Sequence, residues 1–232
     1  MWISDTCSKR VVMRRGMFNG CTKTAPFPFL AIVVALALAY VAANYRHLVY
    51  CSIHLAIQNQ RFAISILKMS STSAPRFNAL SRDAAFWESQ VSVYERFTGG
   101  CTRSIAAEIA ETITPPITPA SYILDNACGT GVFTDEVKAR IPDAHIMAAD
   151  ISPGMAKKVA DLATKRGWTH VETIVQDMRD LYKFVDETFS HVVTSFALVM
   201  LKEQDDLLKA AKEMYRVLQD GGVCVVTSWA GR

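Results

Sequence analysis

Apolar and polar positions in the second half of the chain follow two alternating periods. Short apolar runs predict strands over 122–125, 145–150, 171–175, 191–196 and 223–229. Between them, apolar residues spaced three and four apart predict helices over 132–141, 153–166 and 203–218. Ser152 as N-cap, Pro153 at the first helical position and Gly167 as the stop delimit the middle helix. Strands separated by helices predict a doubly wound, mainly parallel α/β sheet of five strands.

Helical patterns also precede the first strand of this sheet. Larger nonpolar residues between Ala84 and Phe97 predict a helix that ends at Gly99-Gly100. The spacing of Ile105, Ile109 and Ile113 predicts a second helix, which the prolines that follow would stop. We therefore expect N-terminal cap helices over 69–120, followed by a ligand-binding core over 121–232.

The first 68 residues have a different character. An uncharged run between Lys23 and Arg46 has the length of a bilayer span and predicts a transmembrane helix over about 25–45. The basic residues before it favour a cytoplasmic N-terminus, which would place the core on the other side of the membrane. Residues 47–68 resemble a second amphipathic or interfacial helix. Alternatively, Met69 and the Ser-rich sequence after it resemble a natural start, and translation from Met69 would give a cytoplasmic protein without this membrane contact.

Composition excludes several classes of partner. The net charge of +3 is too small to indicate a nucleic acid. The six cysteines include no C-x-x-C pair, and no Cys/His cluster has zinc spacing, so we expect no metal site. Scattered cysteines favour reduced thiols over a disulfide framework. The sequence does not indicate an oligomeric state.

A glycine-containing loop follows the first core strand, over Asp125-Asn126-Ala127-Cys128-Gly129-Thr130-Gly131. Glycine allows a sharp turn and a close approach of the backbone to a ligand, and the next helix begins with free N–H groups. A dinucleotide fingerprint needs a third glycine where Thr134 stands, which weakens a nicotinamide interpretation. Asp150 ends the next strand and Asp177 follows the one after it, at the sheet edge where ligands bind in such folds.

The pattern acidic-x-x-x-Gly-x-Gly, with acids after the next two strands, resembles the Rossmann-like class I S-adenosylmethionine-dependent methyltransferases. The resemblance covers about 81–229 and is greatest to enzymes of ubiquinone and menaquinone biosynthesis and to fungal small-molecule enzymes. It implies S-adenosylmethionine as cofactor, Asp150 on both ribose hydroxyls and Asp177 on the adenine amino group. The cofactor-binding residues that it implies are Tyr94, Asp125, Ala127, Cys128, Gly129, Gly131, Asp150, Ile151, Met155, Asp177, Met178 and Ser195.

We accordingly expect methyl transfer to a small-molecule acceptor. The cofactor carries the reactivity, so a catalytic side chain is optional, and the sequence identifies none. His145, His170 and His191 begin strands and would lie at the opposite edge of the sheet. Two alternatives are a non-catalytic member that binds the cofactor or a partner, and, more weakly, an NAD-dependent oxidoreductase. Family members continue beyond the fifth strand, so the chain resembles a C-terminally truncated member, with 223–229 as an exposed apolar edge.

Overall fold

A computed structural model of the chain describes residues 8–14, 54–57, 60–63, 83–98, 100–201 and 203–229. The predicted membrane helix at 25–45 and the alternative start at Met69 lie outside these ranges. Among the helices of the described residues, none combines the length and the apolar character that a membrane crossing requires. Membrane anchoring therefore stays a prediction.

The elements alternate as the apolar pattern predicts. In chain order, the strands are β1 (Ser8–Arg14), β2 (His54–Ile57), β3 (Gln60–Ala63), β4 (Tyr122–Asn126), β5 (His145–Asp150), β6 (Val171–Val175), β7 (Phe189–Ser195) and β8 (Leu218–Trp229). The α-helices are α1 (Ala84–Gln90), α2 (Tyr94–Phe97), α3 (Cys101–Thr112), α4 (Val132–Arg140), α5 (Pro153–Arg166) and α6 (Gln204–Val217). The start and stop signals of α5 are confirmed, because Ser152 accepts from the Met155 N–H and Gly167 adopts a left-handed conformation.

The main sheet has the strand order β1-β8-β7-β4-β5-β6. Strands β4 to β8 are parallel to one another, which confirms the mainly parallel five-stranded core. The chain winds outward from β4 through β5 to β6, then crosses to β7 and β8 on the other side of β4. This reversal opens a crevice at the carboxyl end of β4, where doubly wound sheets bind ligands.

Both faces of the sheet are covered, as the alternation along β4 shows. Ile123 packs in one core cluster with Ile109 of α3 and Val137 of α4. Its neighbour Leu124 packs in the opposite cluster with Met214 of α6. Successive strand residues point to opposite faces, so an uninterrupted apolar run indicates a strand buried on both sides. The carboxyl ends of the strands are thereby held rigidly beside one another.

Four expectations differ from the structure. The edge of β8 is not exposed along its length, because β1 pairs with it antiparallel, from Ser8 opposite Trp229 to Arg14 opposite Val223. Within 47–68 the described residues form the β2–β3 hairpin rather than a helix. The helix expected over 84–97 is divided by a turn into α1 and α2. The last strand, predicted over 223–229, begins at Leu218, directly after α6.

Candidate functional site

The loops after β4 to β7, together with α1 and α2, enclose a cavity of about 360 Å³ at the carboxyl edge of the sheet. Nine of the residues singled out from the sequence line it: Tyr94, Ala127, Gly129, Asp150, Ile151, Met155, Asp177, Met178 and Ser195. They come together because parallel strands place their carboxyl ends at one edge. Their individual contacts with a cofactor stay predictions.

The other three residues of that set, Asp125, Cys128 and Gly131, lie outside the cavity lining. Asp125 is 2% exposed and accepts a hydrogen bond of 2.7 Å from the Thr134 hydroxyl, which ties the end of β4 to α4. Burial raises the pKa of Asp125 to about 7 and raises that of the Cys128 thiol well above its ordinary value. A Cβ on Gly131, whose φ is 83°, would lie 2.9 Å from a methyl carbon of Val159. These three residues support the conformation of the loop without lining the cavity.

Asp150 is a buried carboxylate of the cavity that two backbone N–H groups hold in place. The Gly129 N–H donates to Oδ2 at 2.8 Å, and the Ser152 N–H donates to Oδ1 at 2.9 Å. Burial raises the pKa of Asp150, while these backbone donors act in the opposite direction. A carboxylate has about four acceptor positions, so each oxygen can still accept from a ligand. The side chain is therefore fixed in place with capacity for two further donors, such as a vicinal diol.

Asp177 is already engaged by a residue that sequence reasoning missed. The Arg179 backbone N–H and Nε donate to Asp177 Oδ1 at 2.8 and 3.0 Å, and Nη2 donates to Oδ2 at 2.5 Å. Arg179 Nη1 also donates to Asp206 Oδ2 of α6 at 2.8 Å. These bonds raise the pKa of the Arg179 guanidinium. Arg179 thus neutralises part of the lining and connects the loop after β6 to α6.

The cavity wall formed by α1 and α2 is largely aromatic. Trp87 and Tyr94 line the cavity with their rings 6.1 Å apart and edge to face, and Tyr94 approaches Gly129. Glu88, on the same helix as Trp87, accepts hydrogen bonds from the Ser152 hydroxyl at 2.6 Å and the Gly154 N–H at 2.8 Å. The Ser152 bond is the main reason that the pKa of Glu88 is lowered. No local pattern in the sequence indicated this contact.

Two polar atoms of cavity-lining residues lack hydrogen-bond partners. Gln176 Oε1 and Ser195 Oγ are both buried and unpaired. A buried polar atom without a partner costs on the order of 1–3 kcal/mol, so a water or a ligand group that reached either atom would stabilise the site. The amide of Gln176 is oriented by its Nε2, which donates to the Asp180 carbonyl at 3.0 Å.

The remaining candidates lie elsewhere. His145 and His170 stack on each other at the amino ends of β5 and β6, with ring centroids 4.2 Å apart, and His191 is buried at the amino end of β7. None of the three lines the cavity. The expectation that the histidines lie away from the ligand edge is confirmed.

Comparison with known sequences shows which family residues 123–222 resemble. Residues 123–222 match the family model described as a methyltransferase domain. A malonyl-[acyl-carrier protein] O-methyltransferase from Dechloromonas aromatica is 32% identical over 54% of this chain and 42% of its own length. A demethylmenaquinone methyltransferase from Anoxybacillus flavithermus is 34% identical over 45% of this chain and 44% of its own length. The chain therefore spans less than half the length of these relatives.

Solved structures show the same fold. The [4+2]-cyclase SpnF matches with a TM-score of 0.54 and 20% identity, over 62% of this chain and 57% of that one. A putative S-adenosyl-L-methionine-dependent methyltransferase from Methanococcus maripaludis matches with a TM-score of 0.51 and 18% identity, over 67% of both chains. Together with the family match, this confirms the resemblance drawn from the glycine loop and the strand-end acids. Residues 123–222 are thus similar in sequence to a methyltransferase domain and share the fold of a solved S-adenosyl-L-methionine-dependent methyltransferase.

Proposed function

We propose that the chain binds S-adenosylmethionine in the cavity and transfers its methyl group to a small-molecule acceptor. The observation that carries the proposal is Asp150, buried at the end of β5 beside the crevice and held by the N–H groups of Gly129 and Ser152. A ribose diol offers two donors, and charge assistance strengthens hydrogen bonds to a carboxylate. When bound, the cofactor supplies an electrophilic methyl group on a sulfonium centre.

The charges of the lining fit this cofactor. Five carboxyl-bearing residues and one guanidinium line the cavity: Asp83, Asp150, Asp177, Glu203, Asp206 and Arg179. An acidic, partly enclosed surface attracts a cation and repels an anion. The positively charged sulfonium therefore matches the acidic lining.

The segment between β7 and α6 lines the cavity with Met200, Leu201 and Glu203. It offers apolar contact and negative charge, so we infer an acceptor that is neutral or cationic. The chain's own residues then bind and orient the two reactants, and orientation alone can supply a large part of the acceleration. A side-chain base is not needed when the acceptor is already nucleophilic.

Membrane anchoring through residues 25–45 is a separate part of this proposal and an alternative to the β1–β8 pairing, because a single crossing there would put these two strands on opposite sides of the membrane. It is supported by the uncharged run of bilayer length. Alkaline extraction of membranes that contain the full chain should leave it in the pellet, and a variant beginning at Met69 should stay in the supernatant. Recovery of both in the supernatant would contradict the anchor and favour the cytoplasmic alternative.

Titration calorimetry with S-adenosylmethionine, S-adenosylhomocysteine and NAD tests the cofactor. We expect both adenosyl ligands to bind and NAD not to bind. Absence of S-adenosylmethionine binding would contradict the proposal, and binding of NAD alone would favour an oxidoreductase. Incubation with radiolabelled cofactor and panels of phenols, quinols, amines and carboxylates then separates an enzyme from a non-catalytic binder.

A further inference from the structure

Helix α1 contributes to the cavity although little burial holds it in place. None of its seven residues is buried, whereas α3 buries Thr102, Ile105, Ala106, Ile109 and Ala110. A helix of this length is not stable by itself in water, and it gains little from apolar contact when its side chains stay partly exposed. Its position must therefore depend on specific contacts with the rest of the domain.

Glu88 makes such a contact at the first turn of α5. Its Oε2 accepts from both the Ser152 hydroxyl and the Gly154 N–H, at 2.6 and 2.8 Å. Hydrogen bonds to a carboxylate are strong, and the N-terminus of a helix favours negative charge. Ser152 also donates its N–H to Asp150. One short segment, 150–154, thus connects the proposed ribose site to α1.

Gly154 provides an independent sign that this contact matters. A Cβ at position 154 would lie 2.4 Å from Glu88 Oε1 and 2.9 Å from its carboxyl carbon. The backbone of Gly154 has no positive φ, so alanine would suit the helix better than glycine does. A methyl group at this position would therefore displace the Glu88 carboxylate, the flexible end of its side chain, from the place where it contacts the helix.

We propose that Glu88 is the positioning residue that holds α1 as a wall of the cofactor cavity and couples the docking of α1 to binding at Asp150. This inference rests on the proposed function. Asp83 at the start of α1 and Trp87 within it both line the cavity, so undocking of the helix opens one side to water. Bound cofactor then leaves faster, while the buried core is unchanged.

A double-mutant cycle of Glu88→Ala and Gly154→Ala tests this coupling. The readouts are S-adenosylhomocysteine affinity, its dissociation rate and the thermal midpoint of the free protein. Each single variant should weaken affinity by about tenfold, through faster dissociation, with little change in the thermal midpoint. In the Glu88→Ala background, Gly154→Ala should have no further effect on affinity and should raise the thermal midpoint, since the clash is gone.

The control is Glu95→Ala, which removes an exposed glutamate from the neighbouring helix α2 and should change none of the three readouts. Unchanged affinity in Glu88→Ala, or additive losses in the double variant, would overturn the inference. If the wild-type chain binds no adenosyl ligand, hydrogen exchange of the amides in 84–90 still decides the docking. Faster exchange in Glu88→Ala than in wild type supports the contact even where the proposed function fails, and equal exchange contradicts it.

Discussion

The two ends of the parallel strands differ in how their polar groups are satisfied. At the carboxyl end, the loops leave a cavity, and Gln176 and Ser195 each carry a buried atom without a partner. At the amino end, His191 is enclosed between the Ser190 hydroxyl at 2.8 Å and the Pro115 carbonyl at 3.1 Å. A carbonyl can only accept, so Nε2 carries the proton of the neutral ring. The carboxyl end thus leaves buried polar atoms unpaired, whereas both ring nitrogens of His191 have hydrogen-bond partners at the amino end.

Burial acts on titratable groups at both ends, and its direction depends on their chemistry. It raises the pKa of Asp125 and Asp150, and it lowers that of His191. In each case burial disfavours the charged form. Substitutions at the carboxyl end should therefore alter ligand binding or, at Asp125, remove a charge that destabilises the fold. Substitutions at the amino end should alter stability alone.

The largest expected effect is on cofactor affinity, when the carboxylate at the carboxyl end of β5 is removed. Replacement Asp150→Ala removes the oriented carboxylate and should weaken S-adenosylmethionine binding by about 1.5–3 kcal/mol, the range of charge-assisted hydrogen bonds. Asp143→Ala removes an exposed carboxylate just before the same strand and serves as the matched control. Calorimetric affinities of the two variants compare the ends directly. Equal affinity in Asp150→Ala and wild type would remove Asp150 from the site.

The buried carboxyl group of Asp125 should make the free energy of unfolding depend on pH. Its pKa rises from 3.8 to about 7 on folding, so over this interval the folded state holds a proton that the unfolded state has released. Wild-type unfolding free energy should therefore fall as pH rises through the interval, by at most about 1.4 kcal/mol per pH unit from this group.

Asp125→Asn lacks this titration. In urea unfolding at pH 5, 6 and 7, the unfolding free energy of the variant should increase relative to that of wild type as pH rises. Asp161→Asn, at an exposed carboxylate of α5, is the control and should follow wild type in parallel. A constant difference between Asp125→Asn and wild type would show that the buried carboxyl titrates normally.

The smallest expected effect lies at the amino end. His191→Gln removes a buried hydrogen-bonded ring and should lower the unfolding free energy by about 1 kcal/mol at pH 8. The native pKa of His191 is below its ordinary value of 6.5, so wild type should also lose stability as pH falls below about 6.5, and the variant should lose less. Cofactor affinity should not change in His191→Gln, and His145→Gln should alter neither property. Loss of affinity in His191→Gln would mean that the two ends are coupled.

The core of the fold could be predicted from local sequence because each element carries its own signal. Uninterrupted apolar runs indicate strands buried on both faces, and Ser152, Pro153 and Gly167 mark the ends of α5 at the residues observed. Asp150 could be found because an acid directly after a buried strand must lie at the carboxyl edge. In each of these cases the evidence is a few consecutive residues.

The parts that could not be predicted depend on contacts between distant segments. Glu88 reaches Ser152 across the sequence, and the exposed surface of α1 gives no sign of its partner. Arg179 follows Asp177 closely, but its second bond to Asp206 depends on where α6 begins. The basic residues of β1 suggested a segment that flanks a membrane helix. The pairing of β1 with β8 could not be predicted, because it depends on a free strand edge that is distant in sequence.

The pairing of β1 with β8 also bears on how the molecule folds. These are the first and last strands of the described chain in sequence and neighbours in space. Closing so long a loop costs conformational entropy before the pairing gives any stabilisation, so this ladder should form after the local α/β units. During synthesis on a ribosome, β1 emerges first and has no partner until β8 has been made. Of the described strands, the one that is synthesised first is thus the last to pair in the sheet.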